Sequence, residues 1–148
     1  MEKAILRYFD PRELVCPHTH GRFGDKALGF MDDTVLRDLL FVREGLGLPV
    51  RVNNWHRGGD YSQRGFRCVL CPLVRSKAVY GSLYVSAHIL GKAVDFTVDG
   101  MSAERVRQWI KAHSDALPHP CRLEEGVSWV HMDTRTDGSA GRVTTFRG

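Results

Sequence analysis

Apolar positions recur with a helical period over residues 32–43, where Val35, Leu36, Leu39, Leu40 and Val42 gather on one broad face behind the capping pair Asp32-Asp33. The spacing predicts a helix ending near Gly45 or Gly47. After Pro49 the period changes to two: Val50-Arg51-Val52-Asn53 alternates as a strand does, until Gly58-Gly59-Asp60 breaks it. Alternation returns from Lys92 to Val98, with Val94, Phe96 and Val98 facing one way and Ala93, Asp95 and Thr97 the other. That is a buried strand carrying one carboxylate. Ser102 is a natural N-cap for a helix to about His113, with Glu104 set against the N-terminal dipole and Ala103, Val106 and Ile110 on one face. Pro118 and Pro120 close that region. Arg122-Leu123-Glu124 and Ser128 through Asp133 read as two short strands joined by a turn at Gly126. Between these elements, Tyr61 to Gly81 has no clean period and reads as an irregular excursion, the kind of long loop that is often functional. Helices and strands are interspersed without a regular βα repeat, which predicts an α+β domain with a mainly antiparallel sheet flanked by helices.

A length of 148 residues suits one domain with a real core, and a hydrophobic share of 43% with 26% charged residues is ordinary for a globular chain. Repeats and low-complexity blocks are absent, so disorder is expected only at the ends. The 21 basic and 17 acidic residues are interleaved rather than clustered, so a net charge of +4 does not point to nucleic acid. The N-terminal stretch lacks the apolar run of a secretory signal, and nothing approaches the roughly 20 apolar residues of a membrane span. Synthesis as a soluble cytoplasmic species, without membrane insertion, is the expectation. Oligomeric state is not legible. Cys16, Cys68, Cys71 and Cys121 are expected to be ordinary reduced thiols. A second metal site would need another closely spaced ligand pair beside Cys68-x-x-Cys71, and only the stretch from Cys16 to His20 approaches that description.

The informative chemistry lies in Ser86-Ala87-His88-Ile89-Leu90-Gly91-Lys92-Ala93-Val94-Asp95 and, further on, Trp129-Val130-His131-Met132-Asp133. Catalytic zinc sites commonly use three protein ligands from imidazole and carboxylate and leave the fourth position to water. His88, Asp95 and His131 meet that count. Gly91 lets the chain turn between His88 and the strand of Asp95, while Trp129, His131 and Asp133 share one face of the last strand. Spacing alone leaves open a loop histidine, a satisfied buried carboxylate and a core histidine. The wording of the motif points further.

Ser-x-His-x-x-Gly-x-Ala-x-Asp followed by Trp-x-His-x-Asp closely resembles the ligand motifs of the zinc D-Ala-D-Ala carboxypeptidase family, which includes murein endopeptidases and shares its fold with the Hedgehog signalling domain. The likeness is strongest to short single-domain members found in bacteriophage and prophage proteins. It extends over nearly the whole chain, through Tyr8-Phe9, Glu13 and Cys16, Gly47 to Trp55, and Gln63-Arg64-Gly65-Phe66-Arg67. The resemblance implies a Hedgehog/DD-peptidase-like fold over 1–148 and Zn2+ bound by His88, Asp95 and His131. It also implies that Arg67, with Gln63 nearby, orients the substrate, a role suited to the planar fork of a guanidinium.

The activity so implied is metal-assisted hydrolysis of a peptide bond next to D-alanine or a related D-residue in peptidoglycan, with a carboxylate as base. Several family members place that glutamate three residues before the last histidine ligand, where this chain has Ser128. Glu124 and Glu125 are the candidates instead. The wording Arg122-Leu123-Glu124 favours the first, although a turn at Gly126 presents either. Asp133 and Ser86 are expected to orient the ligands from behind, with turn stabilisation as the commoner role of such a serine. His18, His20, His56, His113 and His119 lie in no matching motif, and His56 alone is placed to border the cleft. A phage-type origin implies action on the cell wall after release. Ser128 also leaves open a zinc-containing binding module without turnover, or a virion protein using the fold as scaffold.

Overall fold

The computed structural model describes residues 2–79, 81–135, 138 and 140–148. Three short helices come first: α1 (Glu2–Ile5), α2 (Pro11–Leu14) and α3 (Pro17–Phe23), the last continuing into a tight turn of helix at Gly24–Phe30. Asp10 caps α2, accepting from the Arg12 N–H, while the Glu13 carboxylate accepts from the Asp10 N–H in a reciprocal capping box. Helix α4 (Asp33–Leu46) follows, capped by the Asp32 carboxylate on the Thr34 N–H and ended by Gly47 in the left-handed conformation. The five apolar residues read as its inner face are buried. Strand β1 (Val50–Arg51) is shorter than its alternation suggested. The excursion beyond it holds one helix, α5 (Pro72–Lys77).

Strand β2 (Ala93–Val98), helix α6 (Ala103–Ala112) and strands β3 (Cys121–Glu124) and β4 (Val130–Asp133) lie where the pattern puts them, with Ser102 capping α6 on the Arg105 N–H. A fifth strand, β5 (Val143–Phe146), was not expected. It sits where disorder was anticipated, paired parallel to β3, and its amides and carbonyls find partners on that edge. The sheet order is β1-β2-β4-β3-β5, antiparallel at every other pairing. The fold is therefore α+β with a five-stranded, mainly antiparallel sheet.

One sheet face belongs to the core. Val94, Phe96 and Val98 from β2, Leu123 from β3 and Val130 and Met132 from β4 pack with the inner faces of α4 and α6 in one apolar cluster. Alternation sends Asp95, Arg122, Glu124, His131 and Asp133 to the opposite face. That face carries the candidate site. Among the described residues no helix is long and apolar enough to cross a membrane.

Candidate metal centre

Pairing register builds the centre. Asp95 on β2 stands opposite His131 on β4, and Asp133, two residues along, stands opposite Arg122 on β3. His88 arrives from the turn just before β2. Gly91, in that turn, has φ of 68°, and a Cβ there would lie 1.9 Å from the Phe30 carbonyl oxygen. Only glycine allows this close passage. The turn is held further by the Asp32 N–H donating to the Gly91 carbonyl, which joins it to the start of α4.

His88, Asp95 and His131 are buried, and their ligating atoms lie within 4.8 Å of one another. His88 Nδ1 donates to the Gly65 carbonyl oxygen at 2.8 Å, which leaves Nε2 as the nitrogen with the free lone pair. Nε2 is buried, lies 3.2 Å from Asp95 Oδ2 and has no hydrogen-bond partner. An unsatisfied buried imidazole nitrogen costs free energy unless something binds it, and a cation with nitrogen and oxygen preference fits. His131 is held from the other side: Nε2 lies 2.8 Å from Asp133 Oδ2, and Nδ1 lies 2.7 Å from Asp95 Oδ1. Asp133, fully buried, also takes both Arg122 donors, at 2.9 and 3.0 Å, and the Arg135 N–H. This carboxylate fixes the ring so that Nδ1 faces Asp95 and His88.

The electrostatics follow from this crowding. Burial favours neutral His131, yet hydrogen bonds to Asp133 and Asp95 outweigh it and hold the imidazolium up to about 9. Burial likewise opposes ionisation of Asp95, but His88, His131 and their hydrogen bonds keep it ionised well below the usual carboxylate range. His88, by contrast, is pushed down by burial and stays neutral. A cation bound at His131 Nδ1 would have to displace the proton that this nitrogen shares with Asp95.

The remaining predicted residues divide. Arg67 Nη2 donates to Asp95 Oδ2 at 3.0 Å, and its Nε donates to the Gln63 carbonyl oxygen. It therefore steadies Asp95 directly. Gln63 accepts from the Leu73 N–H at 2.8 Å through its side chain and lines the cleft beside Arg67. Of the two roles open to Ser86, the structure shows the turn-stabilising one: its hydroxyl accepts from the Ile89 N–H, while the Gly65 carbonyl accepts from His88. Glu124 lines the same cavity as the three candidate ligand residues. Glu125 does not, because its carboxylate is engaged by Lys111 Nζ at 2.9 Å. His56 does not border this cleft; its ring lies beside Trp55 and Arg57.

The cleft has two lobes that share Arg67, Asp95 and Trp129. One, about 440 Å³, is lined by Tyr61, Gln63, Arg64 and Ser128. The other, about 390 Å³, holds His88, His131, Glu124, Arg122, Arg135 and Lys77. Arg107 was missed by sequence reasoning although it falls on the apolar stripe of α6. It is 4% exposed and donates to the carbonyls of Glu124, Val127 and Trp129, fixing the turn between β3 and β4.

A second group, Cys16, His18, Cys68 and Cys71, also has all its ligating atoms within 4.8 Å. Two sets of side chains in the described residues can thus hold a metal ion. Cys121 belongs to neither and is buried. Comparison of the chain with protein-family models, with curated proteins and with solved structures gives no match in any of the three.

Proposed function

We propose that this protein is a zinc-dependent peptidase that hydrolyses a peptide bond next to D-alanine or a related D-residue in peptidoglycan peptides, with the D-Ala-D-Ala carboxypeptidase and Hedgehog-type fold. The observation that carries the reading is the orphaned His88 Nε2, buried within reach of Asp95 and His131 at the bottom of an open cleft. The resemblance of Ser86 to Asp95 and Trp129 to Asp133 to that family's ligand motifs supports it.

His88 through Nε2, Asp95 through its carboxylate and His131 through Nδ1 are the residues that would hold the zinc. Bound there, zinc supplies Lewis acidity toward the scissile carbonyl and lowers the pKa of a water molecule. The protein's own groups do the rest. Glu124 takes the proton of the attacking water and returns it to the leaving amine. Asp133, anchored by Arg122, keeps the His131 ring in register throughout. Arg67 neutralises part of the Asp95 charge. Lys77, Arg122 and Arg135 line the lobe of Glu124 and make it attractive to the carboxylate of a peptide C-terminus.

A non-catalytic, zinc-containing binding module is the second reading, favoured by Ser128 in the lobe opposite Glu124, where the family's usual base is absent. Hydrolysis of a peptide ending in D-Ala-D-Ala, or of purified peptidoglycan fragments, separates the two. The peptidase reading predicts product release by the zinc-loaded wild type and none by His88→Ala. A wild type with full zinc and no turnover on either substrate supports the binding module.

A further inference from the structure

The two ends of the second cluster lie far apart in sequence. Cys16 and His18 flank the start of α3, and Cys68 and Cys71 bracket the tight turn before α5, with His18 and Cys68 separated by 50 positions. The fold nevertheless brings their side chains to one point. Cys68 Sγ lies 3.6 Å from His18 Nδ1, Cys71 Sγ lies 3.8 Å from the same nitrogen, and the two sulfurs are 4.0 Å apart. A tetrahedral zinc ion with bonds of about 2.3 Å to sulfur and about 2.0 Å to nitrogen sets ligand separations of roughly 3.8 Å between sulfurs and roughly 3.6 Å between sulfur and nitrogen. The observed edges match that tetrahedron.

We propose that Cys16, His18, Cys68 and Cys71 form a second, structural zinc site that pins the irregular excursion to the N-terminal helices. Four protein ligands close the coordination shell, which suits a structural rather than a catalytic ion. Three thiolates with one imidazole select zinc over the hard divalent cations. The surroundings agree: the Leu70 N–H donates to Cys68 Sγ, the Thr19 hydroxyl lies 3.0 Å from Cys16 Sγ, and Val74, Tyr84 and Ile89 pack around Cys16 and Cys71 as an apolar cluster apart from the main core. A disulfide does not explain the arrangement, because all four cysteines of the chain are free and a Cys68–Cys71 bridge would leave Cys16 and His18 without a role.

The excursion has a reason to need such a staple. Among the described residues between β1 and β2 the helical structure is α5 and one short turn at Trp55–Arg57, yet this stretch presents Gln63, the Gly65 carbonyl and Arg67 to the candidate centre. Gly65 itself is pressed against the N-terminal segment, where a Cβ would meet the Leu14 carbonyl oxygen at 2.1 Å. A crosslink at Cys68, next to Arg67, holds that contact.

Cobalt substitution tests the site without reference to activity. Of the two candidate metal-holding groups among the described residues only this one offers sulfur, so protein loaded with two equivalents of Co2+ should show thiolate-to-cobalt charge-transfer absorption that persists in His88→Ala and vanishes in Cys68→Ala/Cys71→Ala. Zinc analysis of the purified wild type should give two ions per chain, falling to one in either variant. Absence of the sulfur band in the cobalt-loaded wild type overturns the proposal, whether or not the cysteine variant folds. A wild type with one zinc that His88→Ala abolishes overturns it too, whereas one zinc that survives His88→Ala upholds this site and counts against the other.

Discussion

Asp95 and His131 face each other across the antiparallel pair of β2 and β4, and His131 Nδ1 lies 2.7 Å from Asp95 Oδ1. Two strands thereby deliver two candidate ligands by register alone, and the tight turn through Gly91 brings the third. The sheet, rather than a flexible loop, sets the geometry. Removing either residue should therefore abolish metal binding at this centre while leaving the core face of the same strands intact.

In the proposed centre Asp133 would act on the metal through His131, whose Nε2 lies 2.8 Å from its carboxylate. Asp133→Asn keeps the size of the side chain but weakens its hold on Nε2 and on Arg122. Groups that orient metal-bound histidines typically contribute a factor of about 10–100 in affinity. Competition with a chromophoric chelator should show a loss of that order in zinc affinity at the His88 centre.

Glu124 and Glu125 are adjacent in sequence and opposite in consequence. Glu124→Gln should lower kcat by roughly 10²–10⁴, the usual contribution of a positioned acid–base group, with zinc content unchanged. Glu125→Gln should retain nearly all activity, because that carboxylate is held by Lys111 outside the cleft. Steady-state hydrolysis of a D-Ala-D-Ala peptide, with metal analysis of each variant, checks both.

Gly91 carries a steric prediction. Alanine there must adopt a left-handed backbone and displace the Phe30 carbonyl oxygen. The conformational penalty alone is about 1–2 kcal/mol, and the overlap adds to it. Urea unfolding of Gly91→Ala should show a loss of at least about 2 kcal/mol, with poorer zinc retention because His88 shares the turn.

Asp38 gives a pH dependence away from the site. Burial pushes its carboxyl up to about 7, only partly offset by the His119 N–H and by Arg142. An aspartate in an open chain ionises near 4. Between these values the folded chain holds a proton that the unfolded chain has released, so this group's contribution to stability falls as pH rises from about 4 to about 7. Asp38→Asn should remove that slope, up to about 1.4 kcal/mol per pH unit. Urea unfolding of both proteins at several pH values measures the difference.

Much of this architecture was legible in the chain because periodicity reports burial. Helices α4 and α6 and strand β2 are long enough for their apolar positions to repeat, and the motif around His88 carries its own punctuation in Gly91. Helices α1, α2 and α3 have four, four and seven residues, too few to show a period. Strand β5 has no fully buried residue on either face and is fixed by its parallel pairing to β3, a long-range contact without a local signal. The partner of His88 Nδ1 is a backbone carbonyl, which no residue identity announces. The buried Arg107 had a local sign, a cation on an apolar stripe. The meeting of Cys16 and His18 with Cys68 and Cys71 depends on tertiary folding alone.

In the proposed centre His88 Nε2, the Asp95 carboxylate and His131 Nδ1 hold one zinc ion lining the cleft. Anomalous diffraction at the zinc edge from crystals of the zinc-loaded protein measures it most directly. An anomalous peak is expected about 2.0–2.2 Å from each of these three groups, with an open coordination position toward the cleft. Zinc-loaded crystals in which His88, Asp95 and His131 are well ordered and no anomalous peak lies among them would contradict it.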